Sequence, residues 1–128
     1  MQTTRVMGEG YEPYVEQLGD KLIYSLPVES GFVSFYFEFD IRQTDLDVLL
    51  SDDYRRAVLE VTAHTLLQHS TLKGHKRFTQ NDFDNLIATT LHESQEHLCA
   101  FISQVNREHN MSIEHYVHDI VNTRLTKG

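Results

Sequence analysis

Tryptophan is absent from this chain, cysteine occurs once and proline twice in 128 residues. The single thiol, Cys99, closes no internal disulfide, and no CxxC pair or zinc-type Cys/His spacing accompanies it. No apolar run approaches the roughly 18 residues that span a bilayer. The opening MQTTRVMGEGYEP has one arginine and no apolar stretch, so it does not read as a secretory signal. The compartment these absences favour is the cytoplasm. Neither GxGxxG nor GxxxxGK(S/T) occurs, and there is no GxSxG, so nucleotide binding and serine hydrolysis of those kinds lack a signal. Basic charge is scarce as well: 11 Lys+Arg stand against 19 Asp+Glu, for a net charge of −8.

That deficit is confined to one half. Residues 1–53 hold eleven carboxylates (Glu9, Glu12, Glu16, Asp20, Glu29, Glu38, Asp40, Asp45, Asp47, Asp52 and Asp53) and three cations (Arg5, Lys21 and Arg42), whereas residues 54–128 balance. A one-sided negative field suits a basic partner and disfavours nucleic acid or anionic lipid. A merely solubilising surface is the alternative.

What is present is an ordinary folding composition. With 40% hydrophobic and 23% charged residues, the chain is rich enough in apolar side chains to build one core and reads as a single domain over residues 1–128. Residues 1–19, punctuated by Gly8, Gly10, Pro13 and Gly19, read either as a loose arm or as a short strand around Tyr14–Leu18. From Lys21 apolar and polar residues alternate; Glu29-Ser30-Gly31 reads as a turn and Phe32–Ile41 as the returning strand of a hairpin. Side chains alternate with period two, which puts Val33, Phe35, Phe37, Phe39 and Ile41 on one face and Tyr36, Glu38 and Asp40 on the other.

Helices are expected next. Thr44-Asp45-Leu46-Asp47 resembles a capping box with Asp47 at N3, and Ser51 or Asp52 would cap a longer helix running to about Ser70. At 100° per residue that helix has two apolar sides, Leu59/Ala63/Leu66/Leu67 and Ala57/Val58/Val61, with Glu60, His64 and Gln68 as a polar stripe between them. It is therefore expected to be central, packed on both sides. Lys73–Phe78 reads as a loop. Thr79-Gln80-Asn81-Asp82 forms a second box with Phe78 and Phe83 as its staple, opening one long helix to Glu108 that bends near Ser94. Ser112 caps a last helix. The expected fold is α+β: an N-terminal antiparallel hairpin or small sheet packed on three principal helices.

Eight histidines raise the question of metal. His92 and His97 are five apart, about 140° around a helix, whereas a zinc-protease pair is four apart and about 40°. His115 and His118 could share an ion only with a third ligand from elsewhere, and solvated side chains are the simpler reading. Glu60 and His64 read as a structural pair, and Cys99 as a thiol in or near the core. No catalytic residue, metal or cofactor is assigned. The chain reads as a non-enzyme.

The candidate site is therefore a surface. Tyr36, Glu38 and Asp40 form the outward face of the strand, and Asp45, Asp47, Asp52 and Asp53 are expected to extend it around the hairpin's end. Helix dipoles account for the last four without any partner, since all lie in first turns.

The order FYFEFDI, TDLDVLLSDDYRRAVLEVTAHTLLQ, FTQNDFDNLI, over roughly Phe32 to Val105, resembles the immunity proteins of bacterial contact-dependent growth inhibition systems. The resemblance implies a cytoplasmic protein that binds the C-terminal toxin domain of a delivered effector, often a nuclease, and blocks it. The expected partner is thus a basic toxin domain, with no nucleic acid or membrane bound. Two rivals remain: a structural or adaptor subunit, dimerising through the long helix, and a metal-dependent enzyme using His115 and His118.

Overall fold

A computed structural model describes residues 3–10, 12–30, 33–71 and 78–127. Four strands, β1 (Thr4–Met7), β2 (Tyr14–Leu18), β3 (Lys21–Ser30) and β4 (Val33–Ile41), pair antiparallel in the order β1-β2-β3-β4. The first residues are therefore not a loose arm: the short strand read at Tyr14–Leu18 forms, and Thr4–Met7 adds an unexpected one beside it. Glycine makes the first two turns. A Cβ on Gly8 (φ 93°) would lie 2.6 Å from the Pro13 carbonyl oxygen, so no other residue fits there. Gly19 (φ 61°) takes the first central position of the two-residue link between the paired Leu18 and Lys21, where a left-handed backbone matches the strand twist. Glu29 and Ser30 still belong to β3. Gly31 and Phe32, like the expected loop at 73–77, lie outside the described residues.

One row of side chains crosses the whole sheet: Met7 opposite Val15, Val15 opposite Tyr24, Tyr24 opposite Phe39. All four are buried. Phe83 stacks on Phe39 at 4.3 Å between centroids and lies 5.4 Å from Tyr24, while Phe78 meets Phe39 edge-on at 5.9 Å. Full burial of each such ring stabilises by about 1.5–3 kcal/mol. The opposite sheet face carries Arg5 over the Tyr14 ring, 4.0 Å from its centroid, and the exposed Tyr36, Glu38 and Asp40.

The helices are α1 (Gln43–Ser51), α2 (Asp53–Ser70), α3 (Gln80–Ile87), α4 (Gln95–His109) and α5 (Ile113–Lys127). α2 is central, as its two apolar sides require. Leu59, Ala63 and Leu67 pack with the sheet and α3; Ala57, Val58 and Val61 pack with Leu98, Ile102, Val105, Ile113 and Val117 of α4 and α5. The Thr79–Asp82 box forms as read, Thr79 accepting from the Asp82 amide and Asp82 from the Thr79 amide.

Two expectations need correction. α1 starts at Gln43 with Asp45, not Asp47, at N3. The single long helix is two helices. α3 runs into a π-helical turn, Ala88–His92, and the chain then extends at Glu93 (ψ 164°) before Ser94 caps α4 by accepting from the His97 amide. Buried apolar residues stand on both sides of the break, Leu86, Ile87 and Leu91 before it and Leu98 and Ile102 after it, so hydrophobic periodicity alone does not mark it. What holds the break is Arg55 of α2: its guanidinium donates to the Thr90 carbonyl at 2.9 Å and the Glu93 carbonyl at 2.8 Å. Those carbonyls sit where a helix end leaves acceptors unsatisfied. Replacing Arg55 by Met should cost about 1–3 kcal/mol of unfolding free energy in urea titration, with the loss shared between the two helices it joins.

Candidate functional site

The outward face of β4 is as the alternation indicated. Tyr36 is 61% exposed, and Glu38 and Asp40 also face solvent. The Asp40 backbone is held end-on by Gln80 of α3: its amide donates to Gln80 Oε1 at 2.9 Å, and Gln80 Nε2 donates to its carbonyl at 3.0 Å. Gln80 Nε2 also donates to Asp84 at 2.8 Å. A hollow of about 540 Å³ lies here, lined by Asp40, Ile41, Arg42, Asp45, Gln80 and Asp84. Among the described residues Glu38, Asp40 and Asp84 form no ion pair. Asp84 was not legible as part of this surface, because the contact that brings α3 to the strand end spans 40 positions.

Asp45 does not belong to the exposed set. It is buried, accepting from the Arg42 amide at 2.8 Å and pairing with the Arg42 guanidinium at 3.2 Å. His92 Nε2 lies 2.6 Å from Asp45 Oδ1; a carboxylate only accepts, so Nε2 carries the proton of that bond. Burial alone would raise the Asp45 pKa, but the Arg42 amide, His92 and the Arg42 guanidinium together hold it below its ordinary value. This carboxylate closes α1 against the π turn. It leaves nothing for a partner.

The remaining three acids sit on the helices. Asp47 is exposed and accepts from Gln43 Nε2 at 3.0 Å. Asp52 is the N-cap of α2, accepting from the Arg55 amide at 3.0 Å, and Asp53 is exposed in the first turn. The predicted surface thus divides into a strand-edge group (Tyr36, Glu38, Asp40, joined by Asp84) and a helix-corner group (Asp47, Asp52, Asp53).

A second concavity lies under the polar stripe of α2. Glu60, His64 and Gln68 face a groove of about 930 Å³ completed by β3 (Leu26, Pro27), the end of α4 and α5. Its floor is an ion network. Arg124 of α5 reaches Glu60 at 2.6 Å and Glu12 at 3.2 Å, and Arg56 reaches both at 3.5 Å. Burial pushes Glu60 up despite Arg124 and Arg56. Burial opposes ionisation of Glu12 too, but the Glu9 amide, Arg124 and Arg56 outweigh it and leave its pKa low. The Tyr24 hydroxyl is completely buried without a hydrogen-bond partner, and burial and the Glu60 charge raise its pKa well above normal. Among the described residues, serine and cysteine are absent from the groove lining. Of its hydroxyl-bearing residues Thr65 and Tyr116, Thr65 donates to the Val61 carbonyl at 2.9 Å.

Of the other described histidines, His69 and His109 meet edge-on in the groove wall, 5.2 Å between ring centroids. His115 pairs with Asp119 at 3.6 Å, His118 meets Asn122 at 2.9 Å, and His97 meets Glu93 at 3.2 Å. Among the described residues no three His, Cys, Asp or Glu side chains are placed to hold a metal ion. Cys99 is exposed, correcting the expected core thiol. It lies one position, about 100°, beyond the buried Leu98, and so faces off the apolar stripe. No helix among the described residues is long and apolar enough to cross a membrane.

No protein-family model matches the chain, and no curated protein or solved structure does.

Two outcomes follow from the buried carboxylates. Because the folded-state pKa of Asp45 is depressed, its stabilisation is complete above the unfolded value near 4 and is lost as pH falls through the lower folded value. Asp45→Asn keeps the cap acceptor but removes the charge, so its stability should fall less between pH 4 and pH 2 than that of the parent in acid titrations followed by circular dichroism. Glu60→Ala leaves the half-buried Arg124 and Arg56 with Glu12 as their one remaining partner in the network and should cost about 3 kcal/mol in urea unfolding.

Proposed function

We propose that this chain is a toxin-neutralising immunity protein that docks on a basic toxin domain and occludes it, working in the cytoplasm and carrying out no reaction of its own. The observation that supports this reading is the strand-edge group: among the described residues Glu38, Asp40 and Asp84 form no ion pair, and Tyr36 stands 61% exposed beside them. The Glu38 and Asp40 side chains, which among the described residues make no hydrogen bond or ion pair, remain available to attract a cationic surface. They raise the rate of encounter, and an exposed aromatic ring supplies contact area at low entropic cost. The resemblance over Phe32–Val105 points the same way. Nucleic acid and anionic lipid would be repelled by the same charges. In the groove the only deeply buried carboxylate, among the described residues lining it, is Glu60, which is engaged by two guanidinium groups as part of the fold's own ion network.

Copurification of the tagged chain from its host, at low and high salt, tests the reading. The expected result is a basic domain whose toxic activity, a nuclease in the first instance, is silenced in the complex. Glu38→Lys with Asp40→Lys should slow association with that domain at least about tenfold at low salt and flatten its salt dependence, with the melting temperature unchanged. Recovery of the chain alone, or only with copies of itself, would sink the immunity reading in favour of a structural subunit.

A further inference from the structure

β4 is the edge of the sheet, and two independent contacts establish which way its backbone points. In an antiparallel ladder the N–H and C=O of one residue face the same side, and successive residues alternate. Asp40 presents both groups to Gln80, away from β3. The β3–β4 register runs without a bulge from Leu22–Ile41 to Ser30–Val33, so Glu38 and Tyr36 have the same outward orientation. Pro27 agrees: it has no N–H, it lies opposite Tyr36, and that pair must therefore be one that exchanges no hydrogen bonds. The amides and carbonyls of Tyr36 and Glu38 thus form an open ladder, ended at Asp40 by the Gln80 side chain. Among the described residues no hydrogen bond reaches them.

The side chains along this edge specify an occupant. On the outer face stand Tyr36, Glu38 and Asp40; on the inner face Phe35 and Phe37 are only half-buried, although their neighbour Phe39 is fully covered. We infer that β4 accepts a fifth strand, an extended segment of the basic partner that runs antiparallel and alternates basic with apolar residues. The basic residues lie beside Glu38 and Asp40, and the apolar ones cover Phe35 and Phe37. Unpaired backbone groups at an edge are a template for such addition, main-chain bonds giving affinity and alternate side chains giving choice. A second copy of this chain is a poor occupant, because antiparallel pairing of two β4 strands brings Glu38 and Asp40 of each near those of the other. The inference rests on the basic-partner reading above and adds to it the mode of binding.

The test uses the full chain and three capped heptapeptides of alternating Lys and Val: one unmodified, one N-methylated on the lysines, and one N-methylated on the valines. In an antiparallel pair the residue opposite Glu38 exchanges hydrogen bonds with it and shares its face, so the ladder runs through lysine amides. The unmodified and valine-methylated peptides should bind, and the lysine-methylated one should bind at least about tenfold more weakly. Amide hydrogen exchange of Tyr36 and Glu38 should slow on binding, with Phe35 and Phe37 unaltered because their amides already face β3. Equal binding of all three peptides, with Tyr36 and Glu38 exchange unchanged, overturns strand addition and leaves only an acidic surface. The reverse methylation pattern overturns the antiparallel direction. Protection of the same amides that grows with protein concentration, without peptide, makes the occupant a second copy. Absence of binding by the unmodified peptide at millimolar concentration overturns the inference, while the basic-partner reading is decided separately by the copurification.

Discussion

A carboxylate in the middle of the molecule sets the terms for everything around it. α2 must bury two apolar faces, and the stripe between them carries Glu60, which is only 5% exposed. Desolvating a charge costs several kcal/mol unless well-placed partners restore what water gave. Arg56, one turn earlier, and Arg124, from α5, provide that restoration, and Glu12 shares both guanidinium groups. The network therefore joins the β1–β2 connection, the central helix and the C-terminal helix at one point. Sheet, α2 and the α4–α5 pair can stack around it with separate apolar cores on either side.

This use of charge changes how the acidic half of the chain is understood. Eleven carboxylates before residue 54 suggest a uniform negative surface, yet several serve the fold. Glu12 binds Arg56 and Arg124, Asp45 binds Arg42 and His92, and Asp52 caps α2. Three of the groups that answer them, Arg56, Arg124 and His92, come from the half with balanced charge. The excess that reaches solvent at the sheet edge is smaller and more localised than the composition suggests. Its position, beside an unpaired strand, is what gives it a use.

Legibility in the sequence followed the range of the interaction responsible. The two sides of α2 were readable because helical periodicity is written within eighteen residues. The Thr79–Asp82 box was readable because it needs four. The exposure of Glu38 and Asp40 followed from period two alone. The break at Glu93–Ser94 was only foreshadowed as a bend, since Arg55 makes it from 35 and 38 positions away. Asp45 looked like one more surface acid because its burial depends on His92, 47 positions on. The role of Gln80 was hidden in the same way: as a residue it is an unremarkable first-turn glutamine, and only the docking of α3 lets its amide imitate a strand.

The Glu60 network also joins distant parts of the chain at unequal cost. Arg56 is four residues from Glu60, but Arg124 is 64 residues from it and 112 from Glu12. Closing a contact of that separation costs more chain entropy than closing one within a helical turn. Arg56 therefore meets Glu60 wherever α2 is helical, whereas Arg124 arrives only with α5 docked. The charge at the centre of the molecule thus registers the seating of the last helix: Glu60 has both its guanidinium partners only when the C-terminal turns are in place.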